Sequence, residues 1–491
     1  MTAPTLLWFR ADLRLGDNPA LAAAVARKAA VIPVFLWAPE EEGRWQPGGA
    51  TRWWLDASLR SLDASLRERG SHLVVRRGPA LETLRTVLRE TGATSVYWNR
   101  RYEPDAIARD RQVKEGLRAD GIEARSFNGS LLMEPWENVK GDGTPYRVFT
   151  PFWKSMLARG AMTAPIAAPK RLVAPSEWPA GDSIDDLELK PRLDWAGGMR
   201  AAWTPGETGA RRELERFLSG AVARYPEHRD RPDVVGTSRL SPHLHFGELS
   251  PRQAWHAARE FALGDSAERS AADAEHADVS RPVESWLRQL AWREFGHHLL
   301  YHFPHTAEAP LRPEFERFPW AEDDTALRAW ERGRTGYPIV DAGMRELWTT
   351  GWMHNRVRMV VASFLVKDLL LPWQEGARWF WDTLVDADLA NNTLGWQWTA
   401  GCGADAAPYF RVFNPLLQSR KFDPDGAYLR RWLPELADLP DPWIHEPHKA
   451  PAAVLEAAGV TIGRDYPAPI VSHEVAKHLA LAAYQTITRK D

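Results

Sequence analysis

The 491-residue sequence is nearly without cysteine: Cys402 stands alone. A single thiol excludes a disulfide framework, and with it Cys-ligated iron–sulfur clusters and Cys-based zinc sites. No apolar run approaches the roughly 18 residues that a membrane span needs. The N-terminus, MTAPTLLWFRADLRLGD, carries charge where a secretory leader needs its apolar stretch, so a cytoplasmic protein is expected. Charge of one sign is missing too, since 62 basic and 65 acidic residues leave a net −3. A near-neutral total is no nucleic-acid signature, although it can hide a local basic groove. Phosphate cradles are also missing. No GxGxxG follows the first apolar run, and no GxxxxGK[ST] occurs. An ordinary nucleotide site is therefore disfavoured, as is an oxidoreductase that uses a pyridine nucleotide.

What is present is a globular composition, with 44% hydrophobic and 26% charged residues, long enough for two or three domains. Tryptophan is the outlier at 25. So many large flat rings point beyond packing, to stacking against flat ligands. The first third alternates apolar runs with amphipathic segments. TLLWFR (5–10), VIPVFLW (31–37), HLVVRRG (72–78), SVYWNR (95–100) and IEARSF (122–127) read as buried strands. Segments 17–28, 51–69, 79–90 and 103–120 between them read as helices. This rhythm predicts a doubly wound parallel α/β sheet domain over 1–130. Residues 131–210, rich in Pro, Gly and Trp, read as a partly ordered connector. Helical patterning dominates 211–491, which predicts an all-α domain, with a solvated acidic loop at 263–281.

Four motifs could carry chemistry. TSRLSPHLHFGELS (237–250) sets Thr237, Ser238 and Ser241 ahead of a helix, which suits a phosphate but on its own favours a helix cap. HHLLYHFPH (297–305) places His298 and His302 four apart. Without a third ligand nearby, a packed or surface helix is preferred to a metal pair. WMHNRVRM (352–359) holds Arg356 and Arg358 on different helix faces, where one could pair a buried carboxylate and the other meet phosphate, unless both are surface arginines. DADLANNTLGWQWTAGCGADAAPYFR (386–411) crowds Asp, Asn, Trp and Gly together. Asp386 and Asp388 could be an acid/base pair, a polar rim around a flat heterocycle, or caps at a helix start. With no nucleophile or metal partner in view, hydrolysis is disfavoured.

These motifs, together with LLWFRADLRLGDNPAL (6–21), WLRQLAWREF, GRTGYPIVDAGMREL and TGWMHNRVRMVVASFLVKDLL, resemble the photolyase–cryptochrome flavoprotein family in order along nearly the whole chain. The resemblance implies an α/β domain, a connector and a helical domain holding a U-shaped FAD. By motif position, Tyr225 and Thr237, Ser238, Arg239, Leu240 and Ser241 would hold its phosphate side, against the cap reading. Trp286, Arg293, Asn355, Asp386, Ala387 and Asp388 would also face it. Arg358 would pair with Asp386, and Asn392 would face flavin N5. Trp396, Trp373 and Trp320 would relay electrons from the surface. The implied reaction is light-driven splitting of cyclobutane pyrimidine dimers flipped out of damaged DNA, by an electron from reduced FAD. Trp292 and Trp398 would stack on the dimer. Gln289, Arg293, Asn355, Met359 and Gln418 would line its pocket, and Arg356 would grip phosphate. A monomer is the family habit, and nucleoid association would follow from DNA binding.

The sequence also departs from the family pattern. Gln289 stands where dimer photolyases commonly have Glu, which predicts less efficient repair. Met359 stands where (6-4) photolyases use an acid-catalytic His, which favours cyclobutane dimers. The 38–70 segment is closer to plant cryptochromes and class III bacterial photolyases. Ala106 replaces a Glu of the usual methenyltetrahydrofolate antenna site. 5,10-Methenyltetrahydrofolate remains the expected antenna, with 8-hydroxy-deazaflavin or none as alternatives. A cryptochrome photoreceptor is the rival reading. It predicts a long tail beyond the helical domain, whereas this sequence stops at QTITRKD.

Overall fold

The computed structural model describes residues 2–160, 162–267, 279–406 and 410–488. Five strands form in the predicted runs: β1 (Thr5–Phe9), β2 (Val31–Trp37), β3 (Val74–Arg77), β4 (Ser95–Asn99) and β5 (Glu123–Phe127). All pair in parallel, in the order β3-β2-β1-β4-β5. Parallel strands are covered on both faces, which is why they read as continuous apolar runs rather than alternating ones. The register aligns Thr5 with Val31 on one side and Ser95 on the other. The buried hydroxyls of Thr5 and Ser95 meet at 2.8 Å, so neither is left unsatisfied.

The crossovers are α1 (Pro19–Ala26), α2 (Gly49–Arg67), α3 (Ala80–Thr91) and α4 (Pro104–Ala119). Asn18 caps α1 by accepting from the Leu21 N–H, with Pro19 in the first turn where its missing N–H costs nothing. Leu84, Val87, Val113 and Leu117 from α3 and α4 pack with Trp8, Val34, Val74 and Trp98 of the sheet into one core. The crevice beyond the carboxyl ends of β1 and β4, where doubly wound sheets take ligands, is filled by the protein's own side chains. Arg10 pairs with Asp110 at 2.8 Å and donates to the Asn99 carbonyl, while Asn99 Nδ2 donates to Asp12 and Asn18. Ala106 is fully buried in α4.

The connector contains helices Phe149–Ala158 and Gly197–Ala202. Beyond it the predicted helices form, among them Ser280–His302, Pro338–Thr350, Asn355–Ser363, Trp373–Thr383 and Leu389–Ala400. Two details differ from the expectation. Within the helical patterning read over 211–491, the chain turns π-helical at Phe364–Asp368. Helices Pro251–Ala267 and Ser280–His302 extend into the 263–281 segment expected as a loop, and residues 268–278 lie outside the described residues. Among the described residues, no helix is long and apolar enough to cross a membrane.

The chain forms two compact units. One comprises Met1–Ala223, Ser238–Pro304 and Val385–Leu389; the other comprises Arg224–Thr237, His305–Leu384 and Ala390–Asp491.

Candidate active site

In the first unit, the Ser280–His302 helix carries Trp286, Gln289, Trp292 and Arg293 on successive turns. Trp286 is buried against Phe217, with ring centroids 5.1 Å apart. Trp292 stacks on Phe149 at 3.8 Å with planes 7° apart, so one indole face is already covered. Gln289 Nε2 donates to the Ser285 carbonyl at 3.3 Å. Arg293 donates to the Ser130 carbonyl at 2.8 Å.

Two neighbours on this helix escaped the sequence reading. Glu294 is buried, and its Oε2 accepts from the Leu132 and Met133 N–H groups at 2.8 and 3.3 Å. Burial drives its pKa up to about 7, against the pull of Arg293, His297 and those two amides. His297 is also buried, with Nε2 3.4 Å from Asp388. Only the run of charge and histidine in WREFGHH hinted at them.

His298 and His302 serve structure. Both ring edges meet the Pro135 carbonyl at 3.1 Å, and His298 Nε2 accepts from the Tyr146 N–H. Burial holds the His298 pKa down at about 4, as a ring that must keep one lone pair requires. The two rings thus fasten the connector to the helix.

Asp386, Ala387 and Asp388 lie just ahead of the Leu389–Ala400 helix, all three buried, with the Asp388 N–H donating to the Asp386 carbonyl at 2.8 Å. Although burial opposes it, His297, Arg293 and His245 hold the Asp388 carboxyl well below the usual carboxylate range. Asp388 is therefore an ionised acceptor, which fails the acid half of an acid/base pair. The first unit also holds Ser238, Arg239, Leu240 and Ser241. Ser241 is the first helical residue of Ser241–His245, and Leu240, which cannot cap, sits before it. None of Thr237, Ser238 and Ser241 therefore holds that helix's cap position, while Ser250, at the end of the same motif, accepts from the Gln253 N–H at 3.0 Å ahead of Pro251–Ala267. Arg239 adopts φ 53°, uncommon for a residue with a Cβ, and its guanidinium lies 4.3 Å from the centre of the Trp203 ring.

The second unit holds the remaining residues. Tyr225 is buried, which pushes its phenol up to about 12, and Arg229 lies over its ring. Thr237 closes the Arg224–Thr237 segment of this unit. The Asn355–Ser363 helix starts at His354, whose Nδ1 accepts from the Arg356 N–H. Burial lowers the His354 pKa to about 4 and keeps that lone pair free. Asn355 is exposed, with Nδ2 4.0 Å from Met359 Sδ. Arg356 pairs with Asp230 at 2.9 Å and lies over Phe422, and Arg358 donates to the Met353 carbonyl at 2.8 Å. The different partners bear out the different faces read for the two arginines.

Trp396 and Trp373 are buried and Trp320 is half-buried. The Trp396 ring meets Phe380 and the fully buried Trp330, edge-on, at 5.0 and 6.1 Å. Its buried Nε1 finds no hydrogen-bond partner among the described residues. Trp398 donates to the Asp405 carbonyl at 3.1 Å, and Gln418 sits half-buried on the Pro415–Phe422 helix. Asn392 Nδ2 donates to the Ala377 carbonyl at 3.0 Å. A carbonyl can only accept, so this bond fixes the amide orientation and leaves Oδ1 as an acceptor.

Residues 5–170 match the DNA photolyase family model, and residues 286–486 match that for the FAD-binding domain of DNA photolyase. The chain is 48% identical over 489 residues to a deoxyribodipyrimidine photo-lyase of Agrobacterium fabrum, covering 99% of each chain. It belongs to the DNA photolyase family. Cryptochrome-1 of Arabidopsis thaliana is 43% identical over 96% of this chain and 69% of its own length. Among solved structures, a bacterial class III photolyase from Agrobacterium tumefaciens superposes with a TM-score of 0.94 at 48% identity, covering 100% of this chain and 98% of that one. Photolyase membership accounts for the FAD domain, and the donor set fits such a group. In the second unit Asn392 Oδ1 can receive a ring N–H, and in the first unit the buried Asp386 and Asp388 carboxylates can receive hydroxyls.

Proposed function

We propose that this chain is a light-driven deoxyribodipyrimidine photolyase that splits cyclobutane pyrimidine dimers in DNA. The full-length likeness to the Agrobacterium fabrum enzyme carries the reading. The plant cryptochromes match less closely, and a photoreceptor role is not favoured. Met359, which cannot act as an acid, supports cyclobutane over (6-4) substrates.

When bound, FAD supplies light absorption and one-electron chemistry. This chain's residues bind and orient around it. Tyr225, Thr237, Ser238, Arg239, Leu240 and Ser241 take the phosphate side, and Trp286, Arg293, Asn355, Arg358, Asp386, Ala387 and Asp388 take the rings and ribose. Asn392 presents Oδ1 from an amide already tethered at Nδ2. Trp396 and Trp373, shielded from water, and the half-buried Trp320 form the electron relay.

On the DNA side, Trp292 offers the face that Phe149 leaves uncovered. Trp398 offers a ring whose plane is held by the Asp405 carbonyl. Gln289, Arg293, Asn355, Met359 and Gln418 line the dimer pocket. Arg356 takes a backbone phosphate by exchanging it for Asp230. Flipping the dimer costs least where the lesion has already weakened pairing and stacking.

The antenna is proposed as 5,10-methenyltetrahydrofolate, with 8-hydroxy-deazaflavin or none as alternatives. The protein is proposed to act as a cytoplasmic monomer, joining the nucleoid when bound to damaged DNA. The domain limits are proposed as 1–130, 131–210 and 211–491. The test is thymine recovery from a dimer-bearing oligonucleotide, with photoreduced protein, in blue light and in darkness. Recovery in light alone is expected; no recovery in light with reduced FAD bound overturns the reading.

A further inference from the structure

Within the first unit, His297 holds two partners that together dictate its protonation. Nδ1 lies 3.0 Å from the Arg293 carbonyl, and Nε2 lies 3.4 Å from Asp388 Oδ2. A carbonyl only accepts, so Nδ1 must carry a proton. A neutral ring would then aim its Nε2 lone pair at a carboxylate oxygen, which is repulsive. Both side chains are shielded from solvent, His297 at 6% and Asp388 at 9% exposed, so water does not relieve that clash. Only the doubly protonated ring satisfies both partners.

We propose that His297 is a positioning residue whose imidazolium holds Asp388 in place, making FAD retention dependent on the His297 proton. The inference rests on the reading of Asp388 as an FAD-facing carboxylate. It assigns to this chain a titratable support beneath the cofactor rather than a permanently charged one.

The surroundings agree. Burial works against charge on His297 and Arg293 repels it, yet Asp388 outweighs both and lifts the ring above the usual histidine range. Asp388 moves the opposite way, as a true pair requires. Glu294, on the same helix, carries its charge only above about 7, where burial has raised its pKa. From the other elements, His245, Arg101, Glu103 and Asp386 complete the local field. Burial lowers the His245 pKa, so that ring does not substitute for His297.

The test measures FAD released from the dialysed holoprotein by its fluorescence, between about pH 6 and about pH 9, from the ordinary histidine range upward. Wild-type protein is expected to lose FAD as the pH rises. His297→Phe keeps a ring without charge and should lose FAD roughly tenfold to a hundredfold more readily at the low end, as when a buried charge is left unpaired. His297→Arg carries a fixed charge and should flatten the pH profile. Nitrogen-15 spectra of labelled histidine give a readout independent of the cofactor, in which His297 should stay doubly protonated near neutrality. A neutral ring there, or retention by His297→Phe equal to wild type while Asp388→Asn releases FAD, overturns the inference and leaves the reading of Asp388 standing. Wild-type retention by Asp388→Asn overturns that reading and the inference with it. Should His297→Phe fail to fold, the wild-type pH profile and the Arg variant still decide.

Discussion

Gly376, on the Trp373–Thr383 helix, lies flat against the ring of Trp396: a Cβ built on the glycine would run into the indole. The glycine is thus a slot cut for the innermost tryptophan of the proposed relay. Helix propensity alone favours Gly376→Ala by about 1 kcal/mol. The clash should reverse that sign and destabilise the protein by about 1–3 kcal/mol, the usual cost of overpacking. Urea unfolding measures the sign, and light-driven FAD reduction should slow in the same variant.

The relay itself is tested by separating photoreduction from repair. Trp396→Phe and Trp373→Phe should abolish reduction of bound oxidised FAD by blue light. Chemically reduced samples of the same variants should repair at close to the wild-type rate. Trp330→Phe is the control, since Trp330 also touches the Trp396 ring. Its indole donates to the Val361 carbonyl at 2.9 Å, so the loss should appear as about 1 kcal/mol or more of stability, with photoreduction retained.

Glu294 predicts a stability decline toward alkaline pH. Its folded pKa, about 7, lies above the ordinary 4.5, so between those values the folded state binds more protons than the unfolded one. Stability therefore falls as pH rises through that window, by up to about 3 kcal/mol. Glu294→Gln keeps an acceptor for the Leu132 and Met133 amides and removes the charge. Thermal melts of the variant should be flatter across the window and higher than wild type at its upper end.

Arg356 should act on DNA affinity without sequence preference. Arg356→Ala should weaken binding to dimer-bearing and undamaged duplexes alike and reduce the slope of log K against log salt by about 1. Unchanged affinity with a loss of stability alone would mean that Arg356 serves only Asp230 and Phe422. Fluorescence anisotropy over a salt series distinguishes the two.

Much of the architecture was legible because burial leaves periodic traces. Strands β1, β2 and β4 are covered on both faces, so each reads as an unbroken apolar run between turn residues. Helices such as Pro338–Thr350 read from their 3.6-residue apolar stripe. The π turn at Phe364–Asp368 left no such trace, since Lys367 and Asp368 continue the helical pattern although both are buried there.

The local chain alone determined the parallel sheet, the helical C-terminal half and the motifs that carry the family resemblance, because propensity, periodicity and short motifs are written in consecutive residues. Tertiary structure alone decided the partners. It set Phe149 on Trp292, Asp388 on His297, Asp230 on Arg356, Gly376 beneath Trp396, and the Pro135 carbonyl between two histidines that spacing had offered to a metal. Most of these groups are far apart in sequence, so no local pattern links them. Their charge states followed from the same placement, because burial and the facing group, not residue type, determine whether His297 keeps a second proton and His298 gives it up.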